Sequence, residues 1–121
     1  MKSVLIIEDD TDLQRIYHDR LVGEGYEVRQ ATTGQQGVSL AQQKKPDIIL
    51  LDVMMPGGMN GFDVLEQFKR DLELQNVPVI MSTNLDSEGQ TARSIGVADY
   101  VVKANVTPEQ MIEKIKAILP Q

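Results

Sequence analysis

"DIILLDVMMPGG", residues 47–58, carries four consecutive apolar side chains straight into a bare carboxylate, Asp52, and then breaks in a proline and two glycines. An apolar run without polar alternation is the pattern of a strand covered on both faces, as in a parallel sheet flanked by helices. A charge at the end of such a strand has to open onto a mouth where other groups balance it.

Outward from this stretch, the pattern alternates. "SVLII" is a short β-branched run, and "TDLQRIYHDRLVGEG" places Leu13, Ile16, Tyr17 and Leu21 at helical spacing before a glycine stop. "YEVRQA" reads as a weaker, more polar edge strand, and Gly34 to Lys44, with Val38, Leu40 and Ala41, as a second helix. Beyond Asp52, Val64, Leu65 and Phe68 form one stripe of a helix from Phe62 to Phe68. "VPVIMST", a helix around Gln90 to Ile95 and the short strand "DYVVK" follow. The last helix has the clearest punctuation: Thr107 as N-cap, Pro108 at the first helical position and Gln110 closing a capping box. Ile112, Ile115 and Leu119 form its apolar face, and Pro120 ends it.

Five strand-helix repeats in 121 residues predict a single domain over 1–121. The fold class is α/β, a flavodoxin-like, doubly wound (βα)5 arrangement: a five-stranded parallel sheet in the order 2-1-3-4-5 with helices on both faces. A closed eight-fold barrel typically needs about 250 residues. The 41% hydrophobic and 25% charged content is that of an ordinary globular protein. No apolar run is long enough to cross a bilayer, and the apolar start of "MKSVLIIEDD" stops too early for a signal peptide, so a cytoplasmic location is expected. There is no cysteine, which excludes disulfides and thiolate metal sites. Eighteen acidic against twelve basic residues, a net charge of -6, argue against direct nucleic-acid binding.

In open sheets of this kind, ligands bind at the carboxyl ends of the strands. Those ends deliver Glu8, Asp9 and Asp10 from the first strand, Asp52 from the third, Ser82 and Thr83 from the fourth and Lys103 from the fifth. With the first and third strands adjacent, Asp9 and Asp52 face each other, and two carboxylates about 4 Å apart repel by roughly 4 kcal/mol at an effective dielectric of 20. Lys103 and a hard divalent cation, Mg2+ above all, would balance them. A carboxylate beside such positive groups and a hydroxyl also suits phosphoryl transfer. The expected roles are Asp52 as nucleophile, Glu8 and Asp9 as metal holders, Thr83 as hydroxyl donor to one phosphoryl oxygen and Lys103 as neutraliser of another. Asp10 and Asp12 read as helix N-terminal charges, His18 as a residue of a polar helix face, and the six methionines mostly as core filler.

"LIIEDD", "LLDVMMPGGMNGFDVL", "PVIMST" and "GVADYVVK" resemble, in order and spacing, the signature segments of response-regulator receiver domains of two-component signalling, and the resemblance covers essentially the whole chain. It implies that Asp52 accepts phosphate from a phosphohistidine of a sensor histidine kinase or histidine phosphotransfer protein. It further implies that Asp9 and Asp52 bind Mg2+, with Glu8 acting through water and the backbone carbonyl of Met54 completing the protein ligands. Thr83 and Tyr100 would be the switch pair. The surface of the fourth helix, the fifth strand and the last helix would carry the output to a downstream effector protein or domain, with a homodimer formed on phosphorylation left open.

The chain departs from the family pattern in places. "PGGMNG" has an additional glycine, so Gly57 or Gly58 is expected to widen the loop. Ala104 stands after Lys103 where the family carries a proline in a cis peptide, which predicts a trans peptide with a reshaped loop or retained strain. Asn84 stands where a small residue is usual. Met54 and Leu85 are apolar where many relatives carry side chains that orient the hydrolytic water, which predicts slow loss of phosphate.

Other readings weigh less. A haloacid-dehalogenase-like phosphatase needs a second Asp two residues after the nucleophile, where this chain has Met54. A flavin module needs a phosphate loop where this chain has "EDD". A degenerate receiver acting as a constitutive interaction module would be expected to lose part of the acidic and lysine set.

Overall fold

The computed structural model of the chain describes residues 1–84 and 96–121; the helix expected around Gln90 to Ile95 lies outside them, as does Leu85. Five strands, β1 (Ser3–Ile7), β2 (Glu27–Ala31), β3 (Ile48–Asp52), β4 (Val79–Thr83) and β5 (Asp99–Val102), form one parallel sheet in the order 2-1-3-4-5. The registers bring the carboxyl ends level. Ile7 lies opposite Ala31 on one side and Leu51 on the other, Asp52 opposite Ser82, and Thr83 opposite Val102.

Because successive side chains of a strand point to opposite faces, the continuous apolar runs divide between two cores. Leu5, Ile7, Ile49, Leu51, Val79 and Met81 point to one face, which α2 (Gly34–Gln43) and α3 (Gly61–Arg70) cover with Val38, Ala41, Val64, Leu65 and Phe68. Val4, Ile6, Ile48, Leu50 and Ile80 point to the other, covered by Tyr17 and Leu21 of α1 (Thr11–Gly23) and by Met111, Ile112 and Ile115 of α4 (Pro108–Ile118). The expected doubly wound architecture is therefore present.

Local chemistry fixes where the helices start. The Asp10 carboxylate accepts the amides of Asp12 and Leu13, so Asp10 caps α1 and Asp12 sits in its first turn, as expected. Thr33 caps α2, and Asn60 with Asp63 forms a capping box on α3. The box predicted on the last helix is formed: Thr107 accepts from the amide of Gln110, whose side chain accepts from the amide of Thr107.

One expectation is corrected. Ile16, assigned to the apolar face of α1, is 38% exposed, and the polar Gln14 is buried in its stead because three strand-end carbonyls meet it there. The methionines are mostly core filler, as expected: Met81 and Met111 are fully buried, Met55 and Met59 pack half-buried against the core, and only Met1 and Met54 are exposed.

Candidate functional site

Four of the five strands, all but β2, bring a polar group to the mouth of the sheet. Glu8 follows β1 and is only 2% exposed; Asp52 closes β3 and is 4% exposed; Asp9 stands at the open rim. Their carboxylate oxygens lie within 4.8 Å of one another, a spacing that one cation can span. Thr83, at the end of β4, is fully buried, next to Ser82, which faces Asp52 across the ladder. Tyr100 of β5 is half-buried against the core shared with α2 and α3, in register with Met81.

Lys103 reaches the cluster despite the missing proline. The Lys103–Ala104 peptide is trans, and residues Lys103–Asn105 form a single 3-10 turn, closed by the Val106 amide on the Lys103 carbonyl at 3.4 Å. The Lys103 ammonium donates a hydrogen bond to Glu8 and stands 3.3 Å from Asp52 Oδ1. Of the two sequence alternatives, the trans peptide with a reshaped loop is the one adopted.

These groups perturb one another. Burial, reinforced by the hydrogen bond and charge of Asp52 and opposed by Lys103, pushes the Glu8 carboxyl up to about 8. Burial also raises Asp52, while its hydrogen bond with Glu8 and the Lys103 charge pull the other way. For Lys103, burial disfavours the ammonium, but the hydrogen bond with Glu8 and the charges of Asp52 and Glu8 more than offset it, so its pKa is raised. The field extends to α1: Tyr17 is pushed up to about 12 by burial and then by the charges of Glu8, Asp52 and Asp10.

Past Asp52 the chain turns through Pro56, Gly57 and Gly58. Both glycines have positive φ, 89° and 79°, which a side-chain-bearing residue rarely adopts. Met54 is 58% exposed beside the phosphoacceptor candidate, and Asn84 is exposed too. His18 pairs with Asp19 at 3.0 Å on α1 and is not in the Glu8, Asp9 and Asp52 cluster.

Two residues at the mouth carry no signal in the hydropathy pattern. Gly61 begins α3 with its amide on the Val53 carbonyl at 2.8 Å, and a Cβ there would lie 2.3 Å from the Asp52 carbonyl oxygen. Its "NG" context reads only as a turn. Gln14, polar in a helix, reads as solvent-facing, yet its amide is buried against the ends of β1 and β2.

A doubly wound parallel sheet with an acidic, lysine-bridged mouth at its carboxyl edge defines a narrow class. The sequence pattern described as "Response regulator receiver domain" matches residues 4–116. The chain is 36% identical over 121 residues to protein PilH of Pseudomonas aeruginosa, with 98% of each chain covered. It is also 36% identical over 124 residues to the DNA-binding dual master transcriptional regulator RpaA of Synechocystis, covering 98% of this chain and 49% of that one. Among solved structures, chemotaxis response regulator CheY4 of Vibrio cholerae superimposes with a TM-score of 0.89 at 26% identity, covering 98% of this chain and 99% of that one. Response regulator TrrA of Thermotoga maritima, in complex with Mg2+-BeF, does so with 0.85 at 25% identity, covering 98% and 100%. This chain belongs to the response-regulator receiver domain family. It spans nearly all of PilH but about half the length of the DNA-binding regulator. Domains of this family serve signalling and generally are not enzymes. Among the described residues, no helix is long and apolar enough to cross a membrane.

Proposed function

We propose that this receiver domain is a phosphorylation-dependent switch in which Asp52 accepts a phosphoryl group from a phosphohistidine of a sensor histidine kinase or histidine phosphotransfer protein. The supporting observation is the convergence of Glu8, Asp9 and Asp52 within 4.8 Å, with the Lys103 ammonium 3.3 Å from Asp52. The donor set fits Mg2+: the ligand atoms are hard carboxylate oxygens, and two of the three carboxyls are buried without full neutralisation by protein cations. Asp9 and Asp52 would hold the ion directly, Glu8 through water, and the Met54 carbonyl would complete the protein ligands. When bound, Mg2+ supplies positive charge to the oxygens of the phosphoryl group.

The protein's own groups carry the rest. An Asp52 carboxylate oxygen attacks phosphorus, the phosphorus–nitrogen bond to the imidazole breaks, and its electron pair stays on the departing nitrogen. Lys103 neutralises one phosphoryl oxygen, and the Thr83 hydroxyl donates to another. The added charge biases Thr83 toward the phosphate and Tyr100 inward behind it, altering the surface of the fifth strand and the helices before and after it. That surface controls a downstream effector protein or domain, and homodimer formation is tested by size exclusion with and without fluoroberyllate. The reading takes residues 1–121 as one cytoplasmic domain that contacts neither nucleic acid nor membrane itself. Exposed, apolar Met54 cannot orient a hydrolytic water, so the phosphoryl group should be lost slowly.

The test is exposure to acetyl phosphate with Mg2+, followed by intact-mass and peptide analysis. Wild-type protein should gain one phosphoryl group at Asp52, and Asp52→Asn none there. No modification of wild type, or unchanged modification of Asp52→Asn, rejects the reading, and a phosphoryl lifetime of only seconds rejects its kinetic part.

A further inference from the structure

We propose that Gln14 is a positioning residue for the metal site, its buried amide clamping the Glu8–Asp9 peptide that joins two of the acidic groups, a role that rests on the metal-holding reading given above. Gln14 is 3% exposed and lies on the first turn of α1. Its Nε2 donates toward three carbonyl oxygens: Ala31 at 2.6 Å, Glu8 at 3.1 Å and Ile6 at 3.2 Å. Its Oε1 accepts from Gln30 Nε2 at 3.1 Å, and the same Gln30 nitrogen donates to the Gln14 carbonyl at 3.3 Å. The amide is thus held from the edge strand while it holds the two strand ends.

The position of these acceptors gives the clamp its meaning. The β1–β2 ladder ends at the pair Ile7 and Ala31, so the Glu8 carbonyl lies beyond the last ladder pair. The Ala31 carbonyl receives both the Glu8 amide, at 3.0 Å, and the Gln14 side chain. The peptide on either side of Glu8 is therefore fixed: its own N–H by Ala31, its own C=O by Gln14. A peptide group is planar, so fixing the Glu8 carbonyl also fixes the direction in which the Asp9 backbone leaves. Both carboxylates hang from that one plane. Mg2+ tolerates little departure from octahedral geometry, so its affinity depends on such preorganisation. A solvent-facing glutamine would do none of this, and a purely space-filling residue would take this donor from the Glu8 carbonyl.

The test compares wild type with Gln14→Met, which keeps volume and removes the amide, and with Gln30→Ala, which removes only the group that orients it from an exposed position. An Ile115→Ala variant, in the core beneath α4, controls for general loss of stability. In Gln14→Met the Mg2+ concentration giving half-maximal phosphorylation by acetyl phosphate, and the calorimetric Kd for Mg2+, should rise roughly tenfold. The rate at saturating Mg2+ should stay near wild type, and Ile115→Ala should leave the Mg2+ dependence unchanged. Gln30→Ala should shift it in the same direction by less, and it decides the matter alone if Gln14→Met does not fold. Without metal or phosphate, the Glu8 amide should exchange with deuterium faster in Gln14→Met than in Ile115→Ala. Wild-type protein that binds no Mg2+ overturns the metal reading and this role with it. Wild-type binding with unchanged Mg2+ dependence in the Gln14 and Gln30 variants overturns this role alone.

Discussion

In the metal-free protein the buried carboxyl of Glu8 holds a proton more readily than a free glutamate does. Its pKa of about 8 comes first from burial and then from Asp52, against the pull of Lys103. A dication brought to Asp9 and Asp52 favours the ionised form of Glu8, so metal uptake and proton release are linked. Calorimetry of Mg2+ binding near pH 7, in buffers of different ionisation enthalpy, should show release of up to about one proton, and affinity should climb as pH rises toward about 8. Buffer-independent heats would place the proton elsewhere. At this scale the sequence was informative about charge and silent about support. Glu8, Asp9, Asp52, Thr83 and Lys103 could be read because each ends a strand, and strand ends converge by topology. Gln14 could not, because a buried polar side chain looks like a solvent-facing one until its carbonyl partners are located. Nor could the sequence say that Lys103 hydrogen-bonds Glu8 while standing 3.3 Å from Asp52.

Among the elements, the junction of β3 with α3 leaves no room for a side chain at Gly61. The start of the helix lies against the backbone of β3, and a Cβ at Gly61 would come 2.3 Å from the Asp52 carbonyl oxygen and 2.8 Å from Val53 Cα. Backbone atoms cannot rotate away, so Gly61→Ala should push the strand end aside. A loss of about 1 to 3 kcal/mol in urea denaturation is expected, together with slower phosphorylation of Asp52. Gly37→Ala is the informative contrast: its new Cβ would meet Ile7 Cδ1 at 2.4 Å and Cγ1 at 2.7 Å, core side-chain atoms rather than strand backbone, so the protein should lose stability while phosphorylation is spared. Equal slowing of phosphorylation at the two glycines would refute this account. The strands and the last helix were legible because apolar runs, a proline and a capping box are local signals. The apolar stripe of α1 was misread at Ile16 because simple periodicity cannot know that strand-end carbonyls above the helix require an amide.

The whole domain inherits a pH dependence from its mouth. Glu8 has a folded-state pKa raised from 4.5 to about 8, so between those values the folded protein binds more protons than the unfolded chain. Stability then falls as pH rises through that window, and Asp52, shifted in the same direction, adds to the fall. Lys103, raised above 10.5, contributes stability that is fully present throughout this window and is lost only at higher pH. Metal-free protein should therefore unfold at lower urea at about pH 8 than at about pH 5.5, and saturating Mg2+ should flatten the difference. Stability rising with pH in the absence of metal would show Glu8 ionised in the folded state. The global architecture was the most legible level of all, since five alternating repeats leave few right-handed parallel topologies open to a chain of this size.

The loop beyond Asp52 carries a different kind of restriction. Gly57 and Gly58 both sit in left-handed backbone, yet a Cβ on either would touch nothing within 4 Å. What that rim rejects is handedness rather than crowding. A D-alanine placed there by chemical synthesis would suit the backbone, narrow the conformations of the unfolded chain and stiffen the loop, whereas its ribosomal mirror image would meet strain in open solvent.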